Sequence, residues 1–201
     1  GDIGYLEKAA HVGDYLCSEK VQSEDGAYRS KGTHYTAVIY PAKSMLELVA
    51  AERGLIGSPL WKERYVRHKE SAERAIDDLL LRLDNIQTEG DMTFEDGMIT
   101  CSALQLALRA LLEGDSARRE RYTSAAAYLM GKHQCLEQQL IPDCRMRGGT
   151  LRYWEALDVY FVPNQVMNSP HGWTAWKIYA CYYLYLLTGE VRYLSDFMDT
   201  L

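Results

Sequence analysis

Glu95 and Asp96 stand side by side in "MTFEDGMITCSALQLALRALLEGD", at the edge of a long apolar run. Two chemistries fit such a pair. Thr93 and Asp96 have the spacing of a capping box, and both acids favour the positive end of a helix dipole. The same carboxylates, held in a partly desolvated cleft, could do general acid–base work, with a further carboxylate across the substrate. The best source for that partner is Glu155 in "RYWEALD", with Asp158 next. Glu155 adjoins Trp154, and loss of solvation against an indole favours the protonated form an acid needs. An ion pair with Arg152 or Arg147 is the competing reading of Glu155.

Further candidates lie in the loop around Glu155 and in residues 22–40. "NSPHGW" supplies Asn168, His171 and Trp173. It reads either as an Asn/Ser turn with Pro170 leading into a helix, or as an amide and a neutral base. Tyr28, Tyr35 and Tyr153 could assist a base, and His34 is a second one. Arg145, Arg147 and Arg152 share one loop, and a guanidinium grips a carboxylate with two parallel bonds. Trp154, Trp173, Tyr160 and Trp176 offer flat faces, although Trp176 lies inside an apolar helix and reads as core.

The elements that would position these residues are helices. Residues 61–86 carry Trp61, Tyr65, His68, Ala72, Ile76, Leu79, Leu83 and Ile86 on one stripe, with charge opposite. Residues 116–138 do the same through Tyr122, Ala126, Leu129, His133 and Leu136. The start repeats it through Tyr5, Leu6, Ala9, Val12 and Leu16. Such helices have one wet side. Residues 36–51, 97–112 and 172–187 are instead apolar nearly all round and read as buried, with Pro41 expected in a first turn. Outer and inner helices therefore alternate. The unit is an α-hairpin of about 55–75 residues, present three times, with the start of a fourth. "GDIGYLEKA" at the start matches the phase of "GEVRYLSDF" at 189–197. The links from inner to outer helices are short. Those from outer to inner helices are long: 22–40, 86–98 and 141–173. The last is too long to be idle and too aromatic for disorder.

Composition limits the function classes. With 201 residues and 47% hydrophobic content the chain can bury a large core, and it reads as one α-hairpin repeat domain over 1–201. Net charge is −6 and no basic block appears, so nucleic acid is not an expected partner. No apolar run reaches the ~20 residues of a bilayer span, so neither is a membrane. The expectation is a soluble protein, periplasmic or cytoplasmic. Five cysteines without a C-x-x-C suggest neither a disulfide framework nor a zinc site, and His133, Cys135 and Cys144 match no zinc spacing. No phosphate-binding loop, dinucleotide fingerprint or nucleophile elbow occurs, and no cofactor is expected. The chain opens on Gly1 without a signal peptide, which reads as a processed form or a part of a longer chain.

Alternating helices, loaded loops and the "TGEVRY" joint resemble the six-hairpin α/α toroid of glycoside hydrolases and polysaccharide lyases. The likeness covers the whole chain and supplies about three of six hairpins. It implies an all-α fold and a saccharide at the loop-bearing end. The remaining hairpins would come from a longer chain or a second copy. It implies Glu95 or Asp96 as general acid with Glu155 as partner, on an oligosaccharide that can carry a uronic acid. Tyr28, His34, Tyr35, Arg147, Arg152, Tyr153, Trp154, Asn168 and Trp173 would bind substrate. A lyase would instead use His171 with a Tyr. A non-catalytic sugar-binding or assembly module is the third reading.

Overall fold

The helical periodicity is realised in a computed structural model that describes residues 2–28, 36–84, 96–134 and 174–200, with backbone only at 36–39, 96 and 174. Among the described residues the chain is all-helical and has no β-strand. The elements are α1 (Ile3–Leu16), α2 (Thr36–Glu52), a 3-10 turn (Arg53–Leu55), α3 (Pro59–Leu81), α4 (Asp96–Leu112), α5 (Ser116–His133), α6 (Thr174–Thr188) and α7 (Val191–Thr200). They fall into two units, Gly1–Asp84 and Asn85–Leu201.

In the first unit α2 packs on α3, and α1 lies against both. Ser58 has an extended backbone and Pro59 takes the first helical position, where its missing N–H costs nothing. Helix α3 then buries Trp61, His68, Ala72, Ile76 and Leu79, as the stripe predicts. Pro41 is not in a first turn: it is the sixth residue of α2, and withholds one N–H from the helix ladder.

Helix α1 departs from expectation. Its buried residues are Ala10 and Gly13, while Tyr5 is 72% and Val12 58% exposed. The stripe expected inside faces out. The cause is close packing on the other side. A Cβ at Gly13 would lie 2.6 Å from a Leu48 methyl and 3.0 Å from the His68 ring. Only a glycine lets α1 come so near.

In the second unit α4 is the centre. Every residue from Gly97 to Ala110 is buried, as an apolar helix with no wet side must be. It packs against α5 on one side and α6 on another. Helix α5 buries Tyr122, Ala126, Leu129 and His133 and wets its opposite face. Helix α6, expected to be buried all round, is not: Tyr179, Tyr182 and Leu186 share an exposed stripe, while Lys177, Ala180, Cys181 and Leu184 are enclosed.

The short links are built by specific bonds. Between α4 and α5, Glu113 accepts the N–H groups of Gly114 and Asp115 at 2.8 and 3.0 Å. Asp115 then caps α5 by accepting the Arg118 N–H at 2.8 Å. Between α6 and α7, Gly189 takes φ +70 and donates its N–H to Tyr185 at 2.8 Å, a left-handed helix ending.

Candidate functional site

The TFED motif meets the fold at the first residue of α4, which begins at Asp96. The side chain of Asp96 lies outside the described residues. So do Glu95, Glu155, His171, His34, Tyr35, Arg147, Arg152, Tyr153, Trp154, Asn168 and Trp173. Among the candidates drawn from the sequence, Tyr28 and Trp176 have described side chains; Trp176 is half-buried in α6. Tyr28 is enclosed, 1% exposed, and its hydroxyl lies 2.7 Å from Ser71 Oγ. Burial pushes the Tyr28 hydroxyl well above its ordinary range, against the pull of its Ser71 bond. That ring is packed inside the first unit.

The surroundings of Tyr28 explain why. Residues 17–28 fold back on α3 instead of projecting as an open loop. Gln22 donates to the Gly26 and Ser71 carbonyls, each at 2.8 Å, and accepts from Ser71 Oγ at 2.8 Å and Arg74 at 2.7 Å. Gly26 has φ +93, and a Cβ there would strike the Arg74 carbonyl at 2.5 Å. A left-handed backbone pressed on the backbone of α3 leaves room for glycine only.

A second polar cluster ties α1 to α2 and α3. Glu52 and His68 are both 0% exposed. Nδ1 of His68 is 2.9 and 3.0 Å from the Glu52 oxygens, and Nε2 is 3.1 Å from Asp14 Oδ1. Asp14 is also gripped by Arg64 at 3.1 Å and by Arg67. Burial opposes the charge of Asp14, but Arg67, Arg64 and His68 together outweigh it and hold the carboxyl below its usual range. With both nitrogens engaged by carboxylates, His68 has no free nitrogen with which to act as a base. Among the described residues no group of three or more His, Cys, Asp and Glu side chains is placed to hold a metal ion.

The second unit encloses charge of its own. Arg109 is 2% exposed, donates to Glu113 at 2.6 Å and lies 5.1 Å from the centre of the Tyr122 ring. Burial would raise the Glu113 carboxyl, yet the Asp115 amide, Arg109, Arg118 and the Gly114 amide outweigh it and lower it. This cluster ends α4, at the opposite end of the helix from Asp96. Lys177 and His133 are enclosed as well. Lys177 follows "NSPHGW" by four residues, and nothing in the sequence singles it out, because a lone Lys in an apolar run carries no spacing signal. The same holds for Glu52 and Asp14, which are 38 residues apart in sequence and meet only through His68. The available signal was His68 itself, since an imidazole on an apolar stripe needs buried partners.

No protein-family model matches the chain, and neither curated proteins nor solved structures give a match.

Proposed function

We propose that the chain is a carbohydrate-active enzyme built from hairpins of the α/α-toroid kind, a glycoside hydrolase acting on an oligosaccharide that can carry a uronic acid. One observation supports the reading: α4 is buried from Gly97 to Ala110, begins at Asp96, the last residue of the TFED motif, and packs on the one-sided α5. In that place one carboxylate can hold the helix end while its neighbour faces substrate. Glu155 is the partner carboxylate, and the separation of the two acids decides whether configuration is retained or inverted. The arginines of residues 145–152 hold an acidic sugar, and the Trp and Tyr rings stack on its faces.

The test is turnover of an oligosaccharide panel, neutral and uronate-bearing, followed by release of reducing ends. Glu95→Gln, Asp96→Asn and Glu155→Gln are compared with the parent. Loss of a general acid costs about 10²–10⁴-fold in rate, so at least one TFED variant and the Glu155 variant fall by that much. Full activity in all three overturns the reading. An unsaturated, ultraviolet-absorbing product that disappears in His171→Ala replaces it with a lyase. Binding without turnover replaces it with a sugar-binding module.

A further inference from the structure

We propose that α1 is a docking helix for a second copy of this chain, and that its seat there is α6. The inference is independent of the carbohydrate reading. It starts from the side of α1 that its own unit leaves bare. Tyr5, Ala9, Val12 and Leu16 stand at steps of four, three and four, the spacing of a seam that packs on another helix. Leu16 is half-buried, the other three are exposed, and Tyr15 is exposed at the rim. Ala10, Gly13 and the Asp14 carboxylate hold the helix by its other side. A row of exposed apolar side chains this long marks a contact surface.

The same places in α7 are covered. By the phase of the two helix openings, Tyr5, Ala9 and Val12 correspond to Tyr193, Phe197 and Thr200. None of those three is exposed, α7 packs on α6, and the Phe197 and Tyr182 rings lie 5.8 Å apart. This side of such a helix seats on an apolar partner. Among the described residues one other helix leaves apolar side chains exposed at the same steps. It is α6, through Ala175, Tyr179, Tyr182 and Leu186. Laid antiparallel, the two rows are complementary in size: Ala9 meets Tyr182, and Leu16 meets Ala175. Neither row holds a charged residue, so the net charge of −6 is not set against itself at the contact. The tyrosine hydroxyls can stay in water at its edge.

Area decides which row of the second copy is the occupant. Two α1 rows paired on each other would cover roughly 800 Å² in all, taking about 200 Å² for a whole Tyr side chain. A stable dimer needs about 1,200–2,000 Å². A two-fold pair, in which each copy gives its α1 and receives on its α6, covers both rows twice, roughly 1,400 Å². Only that arrangement reaches the range.

Sedimentation equilibrium of the full chain, from nanomolar to high micromolar concentration, tests this. The parent moves from the mass of one chain to that of two. Val12→Glu and Tyr179→Lys each set a lone charge on a row and weaken association by about 100-fold or more. Both positions are exposed, so helix content by circular dichroism stays that of the parent. Position 12 meets 179 in the antiparallel register. Val12→Glu combined with Tyr179→Lys therefore regains association at low salt, and Val12→Glu combined with Tyr179→Glu does not. Tyr5→Ala weakens association while leaving the unfolding of the dilute single chain unchanged. A parent that stays a single chain throughout, or a dimer that survives Val12→Glu, overturns the proposal. So does a dimer broken by Val12→Glu but indifferent to Tyr179→Lys, which would pair α1 with itself. Equal association of the two double variants overturns the seating on α6.

Discussion

Helices α1 and α7 begin from nearly the same words, "GDIGYLEKA" and "GEVRYLSDF", and end in opposite surroundings. Tyr193 of α7 is 4% exposed; Tyr5, its counterpart in phase, is 72% exposed. Even the cation beside each ring is matched, with Arg192 at 4.6 Å from Tyr193 and Lys8 at 5.4 Å from Tyr5. What differs is the neighbour. Helix α7 follows α6 through a two-residue link and folds back on it. Helix α1 meets α2 and α3 through its other side, with Ala10, Gly13 and Asp14. An apolar stripe states that a helix side can be covered. It does not state which neighbour supplies the cover.

The strongest way to break the comparison is to remove what holds α1 by its polar side. Removing the enclosed Glu52 side chain leaves Nδ1 of His68 without its hydrogen bond and opens a cavity, together about 3–5 kcal/mol. Glu52→Ala should lose that much in urea unfolding of the full chain, with α1 the first element to lose protection from exchange. A loss near zero would mean that the Glu52–His68 contact does not help to seat α1. The next largest effect lies in the tyrosines. Tyr193→Ala should cost about 3 kcal/mol, in the range of buried aromatic truncation. Tyr5→Ala should stay within about 0.5 kcal/mol, as for an exposed side chain. Equal costs would show that Tyr5 is covered in solution.

Helix positions and most buried faces were legible in the sequence because they rest on local periodicity. The stripes of α3 and α5, and the buried α4, follow from spacing alone. The orientation of α1 did not, because it rests on a contact 55 residues away, between Gly13 and His68, and on charges brought together from three helices. Helix α6 looked like α4 in composition, yet keeps Tyr179, Tyr182 and Leu186 exposed. Apolar content says how much a helix can bury and leaves open how many neighbours it has. Of the proposed site, residue types and spacing were legible in the sequence, and the fold adds the address of Asp96 at the start of α4 and the enclosure of Tyr28. Whether carboxylates meet across a cleft is a matter of distances, which no local pattern encodes.

The smallest effect is the sharpest. Ala is a better helix residue than Gly by about 1 kcal/mol, so Gly→Ala inside a helix should stabilise wherever space allows. Gly131 in α5 has nothing within 4 Å of its would-be Cβ, and Gly131→Ala should gain roughly 0.5–1 kcal/mol. At Gly13 the new methyl meets a Leu48 methyl at 2.6 Å and the His68 ring at 3.0 Å. Leu48 can turn aside, since its far end is a flexible branch. His68 cannot, because Glu52 and Asp14 hold its two nitrogens from opposite sides. Overpacking a fixed neighbour costs about 1–3 kcal/mol, which outweighs the propensity gain, so Gly13→Ala should lose about 1 kcal/mol. The loss should appear in the exchange of α1 and leave α7 untouched. A gain like that at Gly131 would show that the ring moves freely, and then α1 faces outward for some reason other than the clamp on His68.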